Sequence, residues 1–157
     1  MSAVGQAPRA AARIGIVASR YNESVTRRLL AGAEQCLRER AVPAERVDVR
    51  WVAGAWELPV VVRGLVEGGG YQAVVALGAV IRGETAHFEY IAGEAARGLM
   101  TVALRYGVPV GFGVLTCDTL EQALARAGGA AGNKGYEATA AALDAAAALP
   151  ARDGDPR

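Results

Sequence analysis

The sequence is poor in cysteine and histidine and has no excess of charge of either sign. Cys36 and Cys117 are its two cysteines, and without a C-x-x-C pair they form neither a disulfide framework nor a common zinc motif. We expect each to be a small buried side chain in a protein of the reducing cytoplasm. Because 17 basic and 16 acidic residues leave a net charge of +1, no nucleic-acid or anionic-membrane partner is expected.

Long apolar runs and the familiar phosphate-binding motifs are also missing. No stretch reaches the roughly 20 apolar residues that cross a bilayer, and residues 1–12 carry no apolar core of a signal peptide. There is no G-x-x-x-x-G-K-[ST] sequence. Residues 68–73 satisfy a loose G-x-G-x-x-[GA] pattern. They precede an apolar run instead of following one, so we interpret them as a plain loop.

What the sequence does contain is an alternation of apolar runs and helical patterns. Nearly continuous hydrophobic runs, typical of strands covered on both faces, occupy residues 14–18, 47–52, 73–81 and 108–115. Between them, helices are predicted over residues 25–37, 58–66, from Glu84 or Thr85 to 106, from an Asp118/Glu121 capping box to near 128, and over 135–149.

This alternation predicts an α/β fold in a single domain of 157 residues. We expect a flavodoxin-like three-layer sandwich, with a four-stranded parallel sheet and helices on both faces. Residues 1–12 are expected to be an N-terminal arm and residues 151–157 a polar tail.

The residues with the most chemistry follow the predicted strands. In open α/β sheets, ligands bind at the carboxyl ends of the strands. Residues 19–22 follow the first strand, 54–57 the second and 82–87 the third, while Phe112 lies in the fourth, with Cys117 and Asp118 beyond it. We therefore expect four segments to meet on one rim and form a ligand pocket there.

Aromatic residues and a candidate anion site fall on this predicted rim. Tyr21, Trp56 and Phe112 suit stacking against a flat heterocycle, although Trp56 is equally well explained as a core-filling side chain. Gly83, Glu84 and Thr85 would open a helix whose free amides favour an anion, with Arg126 as countercharge. A tight turn with a helix cap explains the same three residues equally well.

His87 is the single histidine of the chain. It is predicted in the first turn of the third helix, beside the candidate anion site. Imidazole titrates near neutrality and can both accept and donate a proton, whereas one histidine with scattered cysteines makes no ordinary zinc site. The residues therefore predict a pocket for a planar ring and a phosphate, with one proton shuttle and no metal.

Several long motifs resemble one known family, the 6,7-dimethyl-8-ribityllumazine synthases. They are residues 78–90 (GAVIRGETAHFEY) and 54–59 (GAWELP), followed in the family's order by 111–116, 121–128 and 131–135. The resemblance covers residues 13–149. It implies a transferase of riboflavin biosynthesis that condenses 5-amino-6-(D-ribitylamino)uracil with 3,4-dihydroxy-2-butanone 4-phosphate, giving the lumazine, phosphate and water, without a cofactor.

The resemblance also implies the site residues. His87 matches the proton-transfer residue, and the aminouracil site matches Tyr21, Ala55, Trp56, Glu57, Ala79, Val80, Ile81 and Phe112. The phosphate site matches Glu84, Thr85 and Arg126, with Lys134 as a further candidate. Phe112 and Arg126 would come from a neighbouring subunit. Tyr21 departs from the family's usual phenylalanine or tryptophan but can still stack, and Trp56 replaces a smaller apolar residue.

The assembly implied by the resemblance is a pentamer or a 60-subunit shell of pentamers, with riboflavin synthase as a candidate partner. The short connection at 128–135 favours the shell. Residues 5–12 argue against it, because Pro8 and a run of alanines make a poor strand for pairing with a neighbour. The alternative function is a non-catalytic flavin- or lumazine-binding carrier on the same fold.

Overall fold

A computed structural model describes residues 12–150 of the chain. The predicted polar tail lies outside the described residues, and so does the predicted N-terminal arm apart from Ala12.

Four parallel strands form the central sheet in the order β2-β1-β3-β4. The strands are β1 (Arg13–Ser19), β2 (Val47–Val52), β3 (Tyr71–Ile81) and β4 (Val110–Cys117). Of the two central strands, β1 is buried except at Arg13 and β3 is buried over residues 73–79, as expected for strands covered by helices on both faces. β4 begins at Val110 and not at the predicted residue 108, directly after Pro109, which has no amide to donate to a neighbouring strand.

Helices cover both faces of this sheet. They are α1 (Glu23–Glu39), α2 (Leu58–Glu67), α3 (His87–Tyr106), α4 (Leu120–Ala125) and α5 (Lys134–Ala148). Successive strand residues point to opposite faces. Ile16 accordingly packs in a core with α1 and α5, and Val17 in a second core with α2 and α3. The predicted flavodoxin-like three-layer sandwich is thus confirmed.

The start of α3 differs from the prediction. The helix begins at His87, whereas Glu84 and Thr85 lie in a bend before it. The hydroxyl of Thr85 accepts a hydrogen bond from the amide of His87. Such local side-chain bonds offer the backbone an alternative to the helix. The prediction that Glu84 and Thr85 open the helix is therefore wrong.

The region around α4 also differs from the prediction. Thr119, and not Asp118, caps this helix, and it accepts from the amide of Gln122. The helix ends at Ala125, short of the predicted end near 128. A small antiparallel hairpin follows, made of β5 (Ala127–Gly129) and β6 (Gly132–Asn133). Gly128 and Gly132 have positive φ there, a conformation that side chains disfavour.

Candidate active site

A cavity of about 470 Å³ opens at the carboxyl edge of the sheet, within the usual size of small-molecule sites. It is lined from the ends of β1, β2 and β3 and from the first turns of α3, by Tyr21, Ala53, Gly54, Ala55, Trp56, Glu57, Ala79, Val80, Ile81, Gly83, Thr85, His87, Phe88 and Ile91. The predicted position of a ligand pocket is therefore confirmed for three of the four strand ends.

Tyr21 is held at the mouth of the cavity by the backbone of its own loop. Its amide donates to the carbonyl of Ala53 at 2.9 Å, and its side chain is 73% exposed. Next to it, Asn22 has the left-handed conformation, and its side-chain amide donates to the carbonyl of Ala79 at 2.9 Å. This loop is thus tied to the ends of both β2 and β3.

Sequence reasoning missed the role of Asn22. The signal was its residue type, because asparagine is the non-glycine residue that most readily adopts the left-handed conformation.

Trp56 and Glu57 form another wall of the cavity. The tryptophan is 57% exposed, so its interpretation as a core-filling residue is wrong and its ring is available to a ligand. The carboxylate of Glu57 accepts from the amide of Gly54 at 3.0 Å. That bond fixes the carboxylate beside the cavity, where it can also accept hydrogen bonds from hydroxyl groups.

The end of β3 forms the cavity floor because β3 extends beyond its neighbour β1. The pairing of β1 with β3 ends at Ala18 and Leu77, whereas β4 pairs with β3 as far as Ile81. The β1-facing edge at Ala79 to Ile81 is therefore left uncovered by a strand. A flat ring with hydrogen-bonding edges can lie along such a backbone.

His87 is the first residue of α3, and its side chain is exposed beside the cavity. Thr85 and Gly83 line the cavity with it, while Glu84 is not among the lining residues. In the first turn of α3, the amide of His87 donates to Thr85 and that of Glu89 to the carbonyl of Ala86, and the positive end of the helix dipole favours an anion nearby. Among residues 12–150, no group of three or more His, Cys, Asp or Glu side chains could hold a metal ion.

Three predicted site residues lie away from this cavity. Phe112 pairs with Ala76 in the sheet, five residues and roughly 16 Å before the end of β3. Its sequence-based placement on the rim of its own subunit is therefore wrong. Arg126 ends α4, and its side chain donates to the carbonyl of Gln122.

Lys134 begins α5, and its backbone amide donates to the carbonyl of Arg126 at 2.8 Å. The β5–β6 hairpin thus brings the backbones of two cationic residues together, and neither residue lines the cavity. Within residues 12–150, no lysine or arginine lines the cavity itself. A phosphate bound there would need a countercharge from elsewhere.

The end of β4 contacts the site indirectly, through Arg82 at the end of β3. The guanidinium of Arg82 donates to the carboxylate of Asp118, which follows β4, at 2.8 Å and to that of Glu89 in α3 at 3.3 Å. These hydrogen bonds raise the pKa of Arg82, with Asp118 as the larger cause. The same guanidinium lies 4.6 Å from the ring centre of Phe88, which lines the cavity.

The two cysteines are buried and free, as predicted. Burial raises the pKa of both thiols, which favours the unreactive protonated form. Neither therefore has the environment of a catalytic nucleophile.

The sequence is similar to known proteins along almost its whole length. Residues 11–149 match the family model of 6,7-dimethyl-8-ribityllumazine synthase. A relative from Gemmatimonas aurantiaca, named 6,7-dimethyl-8-ribityllumazine synthase, is 54% identical over 147 residues, covering 91% of this chain and 90% of the relative. In the described part of the chain, no helix is long and apolar enough to cross a membrane.

Proposed function

The chain belongs to the 6,7-dimethyl-8-ribityllumazine synthase family, and we propose that it catalyses the condensation for which that family is named. The reaction joins 5-amino-6-(D-ribitylamino)uracil to 3,4-dihydroxy-2-butanone 4-phosphate and releases the lumazine, phosphate and water. It is a transferase reaction of riboflavin biosynthesis. The observation that carries this function is the cavity in which His87 faces two exposed aromatic rings and a fixed carboxylate.

The aminouracil would bind between the aromatic wall and the end of β3. Tyr21 and Trp56 offer exposed ring faces for stacking. Ala55 adds an apolar contact, and Glu57 would accept from the ribityl hydroxyls. The backbone of Ala79, Val80 and Ile81 would hydrogen-bond the edge of the ring. Phe112 of a neighbouring subunit would close the pocket.

The phosphate of the second substrate would bind beside the start of α3. The hydroxyl of Thr85 and the main-chain amide of Glu84 would donate to it, at the positive end of the α3 dipole. Because the cavity has no cation of its own within residues 12–150, Arg126 of a neighbouring subunit would supply the countercharge. Lys134, bonded through its backbone to Arg126, is a further candidate.

His87 would relay protons while the chain holds both substrates in register. The 5-amino group attacks the ketone, and water leaves as the imine forms. Elimination of phosphate then gives an enol that tautomerises to a new ketone. The ribitylamino nitrogen attacks this ketone, and a second water leaves as the ring closes. Each step moves a proton, which imidazole can accept and return. Much of the acceleration would come from orientation of the two substrates, and none of these steps calls for a metal or organic cofactor.

We further propose that the protein acts as a cytoplasmic homo-oligomer. A pentamer would place each Phe112 and Arg126 at the cavity of a neighbour, and twelve pentamers would form the 60-subunit shell. The compact β5–β6 hairpin at 127–133 supports the shell, since it carries no long insertion. Riboflavin synthase, which consumes the lumazine, is a candidate partner.

Mixing the purified protein with both substrates tests this function. We expect fluorescent lumazine to accumulate when both substrates are present and none when either is left out. Tight binding of flavin or lumazine without product would instead favour the carrier function.

A further inference from the structure

We propose that Arg82 is a positioning residue, which holds the first turn of α3, and with it His87 and Phe88, against the end of β4. This role rests on the proposed function, because it matters for turnover when His87 moves protons in the condensation. Arg82 itself would touch neither substrate.

The contacts of Arg82 join three parts of the site. Its backbone amide donates to the carbonyl of Cys117 at 2.8 Å, which fixes its own position at the end of the β3–β4 pair. Its side chain then reaches the carboxylate of Asp118 after β4 and that of Glu89 in α3. A planar guanidinium offers donors in a fixed fork to two carboxylates while its flat face stacks on a ring, whereas an ammonium group is a point charge without a flat face.

The first turns of α3 have one apolar anchor, Ile91, which is partly buried against the second core. The first fully buried residue of the helix is Ala95, more than two turns after His87. The segment before the helix, residues 82–86, has no regular structure, and a Cβ atom on Gly83 would meet nothing within 4 Å. The cluster around Arg82 is therefore well placed to set the position of His87.

A role in stability alone would be a poor explanation of this cluster. The side chains of Arg82, Asp118 and Glu89 are all exposed to nearly half or more, and such ion pairs add little to the free energy of unfolding. Small misplacements of a catalytic group, in contrast, can cost about a hundredfold in rate.

The aminouracil site is built mainly on other segments, at residues 21, 55–57 and 79–81. Loss of Arg82 should therefore reduce kcat more than it changes the KM for the aminouracil. A purely structural residue would give no such split.

Arg82→Ala tests the proposal, with Arg40→Ala as its matched control. Arg40 donates to Asp144 at 2.8 Å, and the side-chain exposures, 43% and 66%, resemble the 46% and 64% of Arg82 and Asp118. The control pair joins α1 to α5 and does not line the cavity. Both variants would be compared with wild type by steady-state kinetics, thermal unfolding and amide hydrogen exchange.

We expect Arg82→Ala to lower kcat about tenfold or more, with the KM for the aminouracil within about threefold of wild type. Amides of residues 87–94 should exchange faster, while the melting temperature changes no more than in Arg40→Ala. Arg82→Lys should recover part of the lost kcat, since it keeps one ion pair.

Unchanged exchange at residues 87–94 in Arg82→Ala would overturn the proposal, as would a kcat within twofold of wild type or an equal loss in Arg40→Ala. The exchange measurement does not depend on turnover. If wild type forms no lumazine, the proposed function fails, and faster exchange in Arg82→Ala still supports the anchoring of α3.

Discussion

His87 combines an exposed imidazole with a position at the first turn of α3, where it faces the same cavity as the aromatic side chains. A group in this place can exchange protons with a bound substrate and with water. In the proposed mode of binding, the substrates are held mainly by other residues, so acid–base catalysis and positioning would be separable at this site.

His87→Ala should therefore slow turnover without abolishing it. We expect kcat to fall about a hundredfold, the lower part of the range for loss of a general acid–base group. Affinity for the aminouracil should stay close to that of wild type. Steady-state kinetics with a binding measurement checks both. Complete loss of activity with binding intact would contradict the separation of the two roles.

The sequence correctly predicted the cavity position of residues that follow the end of a strand. Tyr21, Trp56, Glu57 and His87 follow strand ends, and the structure brings them to one cavity. The prediction failed for Phe112, because the rim of a sheet depends on register, and Phe112 pairs with Ala76 in the middle of β3.

At the scale of elements, close packing of α1 against α5 depends on glycine. A Cβ atom on Gly135 would overlap the backbone carbonyl of Leu29, and one on Gly32 would overlap the side chain of Asn133. Asn133 also caps α5 and donates to the carbonyl of Arg28 in α1. The contact between these helices therefore leaves no room for larger residues.

Gly135→Ala should lower the free energy of unfolding by about 3 kcal/mol, since backbone atoms must shift to relieve the overlap. Gly64→Ala is the matched control, because a Cβ atom there meets nothing within 4 Å and the residue lies in α2. The control should gain about 0.5–1 kcal/mol from helix propensity and reduced chain entropy. Denaturant unfolding of the two variants measures both free energies. Equal free energies of unfolding would refute the predicted contrast.

The amino ends of three strands are joined through Asp48. Arg13 in β1 donates two hydrogen bonds of 2.6 Å to this carboxylate in β2, and the hydroxyl of Tyr71 in β3 donates one of 2.7 Å. The hydrogen bonds from Arg13, and then that from Tyr71, hold the pKa of Asp48 well below its usual range.

A carboxyl group whose pKa is lower in the folded state stabilises the fold above its unfolded pKa of about 3.9. Asp48→Asn should therefore destabilise the protein at neutral pH, by more than Asp144→Asn, whose carboxylate is more exposed (66% against 23%) and has a single arginine partner. The difference between wild type and Asp48→Asn should shrink as the pH falls below about 4. Measuring the free energy of unfolding of both proteins across pH checks this prediction. A difference that does not change with pH would show that the ionised carboxylate of Asp48 is not the source of the stability.

The elements themselves were predictable from periodicity, and their ends were less so. The four strands and five helices follow apolar patterns that tertiary packing reinforces. The β5–β6 hairpin was missed because its strands are short and mostly glycine, with little hydrophobic signal. The start of α3 was misplaced because the bond from His87 to Thr85 depends on side-chain geometry.

At the scale of the whole molecule, no lysine or arginine among residues 12–150 lines the cavity, although the proposed second substrate carries a phosphate. The hairpin brings Arg126 and Lys134 together, but neither residue lines the cavity. If Arg126 of a neighbouring subunit supplies the positive charge for the phosphate, a subunit that lacks His87 and a subunit that lacks Arg126 should together form some intact sites in a mixed oligomer.

His87→Ala and Arg126→Ala subunits should therefore regain activity when they are denatured and refolded together. With random assembly, about a quarter of the shared sites would contain both intact residues, so about a quarter of wild-type activity is expected. Each variant refolded alone is the control. Activity of the mixture no higher than the average of the two controls would show that the residues act within one subunit.

In the proposed function, this cavity performs the condensation and does more than bind its product. The most direct measurement follows lumazine by absorbance and inorganic phosphate by phosphorus NMR in one reaction with both substrates. We predict that the two products appear at the same rate and in equal amounts, many times the concentration of protein. Phosphate release without lumazine, or no more than one lumazine per chain, would contradict the account.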